Sequence, residues 1–146
     1  MQLSCLLKRG SDLWLNTPKM YREASGTSGM TAAMNGSVNL SIPDGWIPEF
    51  SNHGKNCFII EQSESEDSDE RDTQEHATLL TLLEKEITPL YYDKPKAWTT
   101  LVKQSMTDVL PEFDSNRMAR EYYEQMYTAD YKPAKKSVKA KKEEVI

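Results

Sequence analysis

The residues most able to do chemistry in this chain crowd into one stretch, Glu23-Ala-Ser-Gly-Thr-Ser-Gly-Met-Thr-Ala-Ala-Met-Asn-Gly36. No bulky side chain stands between Glu23 and Met30. Small residues let a ligand approach the backbone closely. The pattern reads as a turn entering a helix. A helix start carries unpaired N–H groups and a partial positive charge, which suits an anion such as phosphate. Glu23 stands at the entrance, where a carboxylate accepts hydrogen bonds from hydroxyl groups. Hydroxyls held at one end and an anion at the other point to sugar-phosphate chemistry. The same string also fits a bare, tight helix start. It is not a P-loop, because no Gly-Lys-Ser/Thr follows. It is not the dinucleotide fingerprint either, because Gly26 and Gly29 do not complete GxGxxG.

The surrounding elements must position that stretch. Met1 to Lys8 reads as an amphipathic helix with Gly10 at its end. Leu13-Trp-Leu15 forms a short apolar strand within 12–16, closed by Asn16-Thr17-Pro18. Thr27 to Asn35 is the predicted helix, stopped by Asn35-Gly36. Val38 to Ile42 alternates as a second strand, and Pro43-Asp-Gly45 turns the chain. Trp46 to Asn56 reads as irregular, and Cys57 to Ile60 as a third strand. This order favours an α/β fold with a short parallel sheet and crossover helices. Residues 61–76, rich in Glu, Asp and Ser, read as a solvated acidic loop. Leu79, Leu82, Leu83 and Ile87 place an amphipathic helix over 77–92. Trp98, Leu101, Val102, Met106 and Leu110 place another over 97–110, and Ser115 caps a last helix with Met118, Tyr122, Met126 and Tyr127. The helical part thus spans 77–127, and the tail 128–146 has little to bury and reads as disordered. A domain opening on a half-helix and an apolar strand lacks earlier neighbours, so the chain reads as a piece of a larger protein or a truncated reading frame.

At 146 residues there is enough chain for one domain with a core. A net charge of -5 argues against a nucleic-acid surface. Cys5 and Cys57 are distant and form no CxxC, and His53 and His76 stand alone, so no metal site is expected. The reduced-thiol reading favours a cytoplasmic setting. No apolar run reaches the roughly 18 residues of a membrane helix. Glu84 and Glu86 read as a solvated helix face. Arg117 and Arg120 read as surface or interface groups, and Trp46 and Trp98 as packing residues.

The full string WLNTP, REASGTSGM, AAMNG and NLSIPDGW closely resembles the C-terminal region of the α-glucan phosphorylases, the glycogen, starch and maltodextrin phosphorylase family, in its shorter bacterial branch. Asn56 to Ile60, Leu83 to Asp93, Trp98 and Phe113 to Tyr122 follow in the expected order, so the likeness covers about 1–127. The resemblance implies a glycosyltransferase-B architecture. This chain would then be the end of the second Rossmann-like domain (1–60 here, a partial βαβ segment) plus closing helices. It implies that inorganic phosphate attacks a terminal α-1,4-linked glucose of an α-glucan or maltooligosaccharide and releases glucose 1-phosphate. It implies pyridoxal phosphate, whose phosphate group takes part in an acid–base relay, and a homodimer as the full-length protein. Residue by residue, it implies that Glu23 accepts from sugar hydroxyls. The backbone N–H groups of Ala24, Ser25 and Gly26 would donate to the same glucosyl unit. Thr27 and Ser28 would donate to the cofactor phosphate.

One position departs from the family. Thr31 stands eight residues after Glu23, where the family carries its Schiff-base lysine. Threonine has no amine and forms no imine. Covalent attachment is therefore unsupported by this sequence, and non-covalent cofactor binding, an altered donor and a degenerate paralogue stay open. The rival readings are a nucleotide-sugar-dependent α-glucan synthase and a non-catalytic carbohydrate-binding remnant. No catalytic residue is assigned within this chain, which alone is expected to lack turnover.

Overall fold

A computed structural model describes residues 2–19, 22 and 24–127. The predicted tail, the Met1 end of the first helix and the Glu23 side chain lie outside the described residues. The described chain falls into two units, the first ending at Phe113 and the second beginning at Asp114.

In the first unit, α1 (Gln2–Gly10) leads into β1 (Leu13–Asn16). The helix α2 (Thr27–Met34) then crosses to β2 (Val38–Ser41). A short helix, α3 (Ile47–Phe50), precedes β3 (Cys57–Ile59). The strands lie in the order β1-β2-β3, and both pairings are parallel. Leu13 sits beside Val38 and Asn16 beside Ser41, and Leu40 sits beside Phe58. The short parallel sheet matches the sequence expectation. Two details differ. All of β2 is buried, so its alternation marks two packed faces instead of one wet face. The segment 46–56 also contains α3, because Pro48 fits a first helical turn and Ile47 and Phe50 both turn inward.

The two faces of the sheet carry separate apolar layers. Val38, Leu40, Ile42, Phe58 and Ile60 pack with Leu82, Ile87, Trp98 and Leu101. Ala33, Trp46, Ile47, Phe50, Cys57 and Val109 form the other layer, with Met30 and Phe113 against it. The long α6 (Pro95–Phe113) supplies residues to both, so it clamps the sheet from one side to the other. Both Trp46 and Trp98 are buried packing residues, as expected. Burial pushes the Cys57 thiol up to about 11, which keeps it unreactive.

The acidic stretch is shorter as a loop than its composition suggests. Helix α4 (Ser68–Leu82) begins inside it. The cause is Asp67, whose carboxylate accepts from the N–H groups of Asp69 (2.8 Å) and Glu70 (3.1 Å). Early acidic residues also complement the helix dipole. The chain continues through one π-turn (Leu83–Ile87) into α5 (Thr88–Asp93). His53 is not isolated: its Nδ1 accepts from the Ile59 N–H at 3.0 Å, and its Nε2 lies 3.4 Å from Glu86. These bonds pin the entry to β3. Among the described residues, no group of His, Cys, Asp and Glu could hold a metal ion, and no helix is long and apolar enough to cross a membrane.

In the second unit, α7 (Ser115–Tyr122) runs into a π-turn at Tyr123–Tyr127. Asp114, one residue before the expected Ser115, is its N-cap position. Arg117 pairs with Glu121 one turn on, at 3.1 Å.

The Asp67 cap sets a pH response. Its two N–H partners hold the carboxyl below the usual 3.8. A lowered acid contributes stability above its unfolded value and loses it as pH falls through the folded one. The amides of Asp69 and Glu70 are therefore expected to lose hydrogen-exchange protection below about pH 4, and Asp67→Ala to lose it at neutral pH.

Candidate functional site

Helix α2 begins where β1 ends, at the carboxyl edge of the parallel sheet. Ligands of open α/β sheets gather at that edge. Gly26 is the N-cap residue, extended at φ -86 and ψ 178, and has no side chain to cap the helix. Among the described residues, no side chain accepts from the first N–H groups of α2. Thr27 and Gly26 are exposed and Ser28 is half-buried. The far end is closed differently. Gly36, at φ +89, lets its own N–H reach Ala33 O (3.1 Å) and that of Ser37 reach Ala32 O (3.0 Å). This glycine stop satisfies the carbonyls at one end of a helix whose amino end is left open.

What fixes α2 in place is a chain of amides. Asn39, fully buried in the middle of β2, donates through Nδ2 to Gly29 O at 3.1 Å. Its Oδ1 accepts from Asn16 Nδ2 at 3.0 Å. Gly29 must be glycine here: a Cβ would stand 2.8 Å from Asn39 Oδ1, 2.9 Å from Asn16 Nδ2 and 3.1 Å from Trp46 Cζ2. One glycine thereby seats the first turn of α2 on β1, β2 and Trp46 at once.

The loop before α2 is held by a second glycine. Gly45 has φ +62, and a Cβ there would fall 2.8 Å from Ser25 O and 2.9 Å from Ser25 N. The Asp44-Gly45 turn therefore lies directly against Ala24 and Ser25. The turn expected at Pro43-Asp-Gly45 is present, and it backs the loop 24–25. Sequence reasoning missed Asn16, Asn39 and Gly29 as the residues that hold the site. An Asn alternating with Val38, Leu40 and Ile42 was the signal available.

Of the residues singled out in the sequence, Ala24, Ser25, Gly26, Thr27 and Ser28 form one continuous mouth leading into α2. Glu23 lies outside the described residues. Thr31 lies one turn into α2. Its Oγ1 donates back to Thr27 O at 3.0 Å, and its carbonyl accepts from Asn35 Nδ2 at 2.8 Å. That side chain is committed to its own helix. A separate cavity of about 300 Å³ opens at the strand ends. Its walls include Lys19, Ile42, Ile60, Asp72 and His76, but none of 24–31. Lys19 faces Asp72 there at 3.5 Å.

A glycine-rich turn leads from a parallel strand into α2, in an α/β segment with a short three-stranded parallel sheet. Curated relatives narrow this. The maltodextrin phosphorylase of Thermococcus litoralis is 42% identical over 120 residues, which cover 82% of this chain and 14% of that protein. The glycogen phosphorylase of Aquifex aeolicus is 38% identical over 131 residues, 86% of this chain and 18% of that protein. The glycogen phosphorylase of Mycobacterium tuberculosis is 37% identical over 133 residues, 87% and 15%. The chain belongs to the glycogen and maltodextrin phosphorylase family and matches its C-terminal region. It spans less than a fifth of the length of these relatives (14% to 18%). No protein-family profile and no solved structure matches it.

The two glycine contacts make a testable demand. Gly45→Ala is expected to destabilise the first unit by more than about 1 kcal/mol, from its left-handed backbone and the clash with Ser25. Denaturant unfolding measures the loss. Gly10→Ala, with open space around it, is expected to leave stability unchanged or raise it.

Proposed function

We propose that this chain is the glucosyl- and anion-binding part of an α-glucan phosphorylase-type glycosyltransferase. The observation that carries the reading is the uncapped amino end of α2, laid at the carboxyl edge of a parallel sheet behind a run of small residues. The identity to maltodextrin and glycogen phosphorylases supports the choice of substrate. In this reading 1–60 is the end of the second Rossmann-like domain of a glycosyltransferase-B protein. The reaction is phosphorolysis. An oxygen of inorganic phosphate bonds to C1 of the terminal glucose, the C1–O4 bond breaks, and the departing glucan oxygen takes a proton. The products are glucose 1-phosphate and a shortened glucan.

The roles inside this chain are binding roles. Glu23 accepts from glucosyl hydroxyls, and the N–H groups of Ala24, Ser25 and Gly26 donate to the same unit. Thr27 and Ser28 hold an anion at the mouth of α2, where the helix dipole favours negative charge.

Pyridoxal phosphate, which the family resemblance implies, meets only half of a fit. The uncapped α2 suits its phosphate group. The residue at the expected attachment position is Thr31, which has no amine and whose hydroxyl is bonded to Thr27 O. The residues present do not fit a covalently held cofactor. The same observation favours a second reading, a carbohydrate-binding segment without chemistry.

Two measurements test this. Inorganic phosphate added to the labelled chain is expected to shift the backbone amides of Thr27 and Ser28. Unmoved amides would remove the anion site. The chain with maltooligosaccharide and phosphate is expected to release no glucose 1-phosphate, and borohydride after pyridoxal phosphate is expected to leave no adduct at position 31. Turnover or a Thr31-centred adduct would overturn the binding-only role.

A further inference from the structure

The cavity of about 300 Å³ at the strand ends is separate from the mouth of α2, since none of 24–31 lines it. Thr17 follows β1, Ile42 follows β2 and Ile60 follows β3, so its walls meet the carboxyl ends of all three parallel strands. Crevices at that edge are where open α/β sheets take ligands.

Helix α4 closes one side of the cavity with a single face. Asp72, Glu75, His76 and Leu79 all line it. Their offsets of three, four and seven residues place them on one stripe of a helix. Ile42 and Ile60, both buried, join the half-buried Leu79 and Pro18 in an apolar lining. Apolar walls with a few polar groups are the usual make-up of a small-molecule site.

The charges on these walls do not balance. Asp72 and Glu75 lie three residues apart on the stripe, where like charges repel. Asp72 faces Lys19 at 3.5 Å, in a pair whose side chains are 51% and 59% exposed. A pair so exposed contributes little, so Lys19 swings aside at small cost. Glu75 is half-buried and, among the described residues, has no ion pair or hydrogen bond. Arg71, on the same helix, gives Nε and Nη2 to Ser65 O instead. A bare carboxylate beside an apolar lining suits a positive charge carried on an apolar body. An anionic ligand would meet both carboxylates. A neutral one would leave Glu75 without a counter-charge.

We infer that this cavity binds a small organic amine, with its ammonium group between Asp72 and Glu75 and its apolar body on Ile42, Ile60 and Leu79. The inference does not rest on the anion site at α2 and assigns the chain a second, chemically opposite ligand. His76, at the exposed rim of the same stripe, reports on occupancy.

The test is a titration of the full chain at fixed neutral pH, followed through the histidine ring signals by NMR. The chain has two histidines, so His76→Gln assigns both. The probes are 2-phenylethylamine, 2-phenylethanol and 3-phenylpropionate, which share one apolar body and differ in charge. The amine is expected to move the His76 signal to saturation in the millimolar range and to leave His53 in place. The alcohol and the carboxylate are expected to bind about tenfold more weakly or worse, the scale of a hydrogen bond to a charged group. Glu75→Gln is expected to weaken the amine by about fivefold, as for a partly exposed charge pair, and to leave the alcohol unchanged. Equal binding of amine and alcohol would overturn the proposal. So would an unmoved His76, movement of both histidines together, or an amine affinity indifferent to Glu75→Gln. The comparison of the three probes uses the unmodified chain, so it decides the matter even where Glu75→Gln does not fold.

Discussion

The close approach of Gly29 to Asn39 governs this molecule. It is a contact between a helix with no side chain at that point and a buried amide in the middle strand. Asn39 is wholly enclosed, so its amide must be satisfied inside the protein. Gly29 O and Asn16 Nδ2 satisfy it. Each bond also ties an element down: the first to α2, the second to β1. A side chain on Gly29 would push the helix off all of its neighbours at once.

From that seat the rest follows. Because α2 is fixed by its first turn, its amino end stays at the carboxyl edge of the sheet, with its N–H groups turned to the loop 24–28. Gly45 then presses the Asp44-Gly45 turn against Ser25, so the loop is backed by structure on its inner side. Behind it, Trp46 packs edge to face on Phe113, with centroids 5.1 Å apart, and α6 thereby braces the same corner within one apolar layer. The mouth is thus assembled from small residues on a rigid base. The Gly/Ser/Thr run is brought to its place by β1 and α2 and backed by β2 and the Asp44-Gly45 turn, and α4 and α6 help to bury the sheet.

Much of this was legible beforehand because local chemistry and tertiary structure agree. Asn35-Gly36 stops α2 in the sequence and in space, since only a residue tolerant of positive φ closes that helix cleanly. Three apolar runs separated by turn residues gave three strands, and the Trp98 periodicity gave α6. Other features depended on partners distant in sequence. Composition made 61–76 look like loop, whereas Asp67 nucleates α4 by capping it. His53 looked isolated because Glu86 is far along the chain. Asn39 looked like the polar half of an alternating strand, and its real partner, a carbonyl ten residues back, is invisible without the fold. The mouth itself was readable from Ala24 to Ser28.

The most direct test of this account is a double-mutant cycle between Gly29→Ala and Asn39→Ala, read by denaturant unfolding. If the two residues share one close contact, Gly29→Ala costs much less once Asn39 is gone. The coupling energy is then about 1 kcal/mol or more, within the range for touching residues. Additive losses, with coupling near zero, would contradict the claim that Asn39 seats α2 through Gly29.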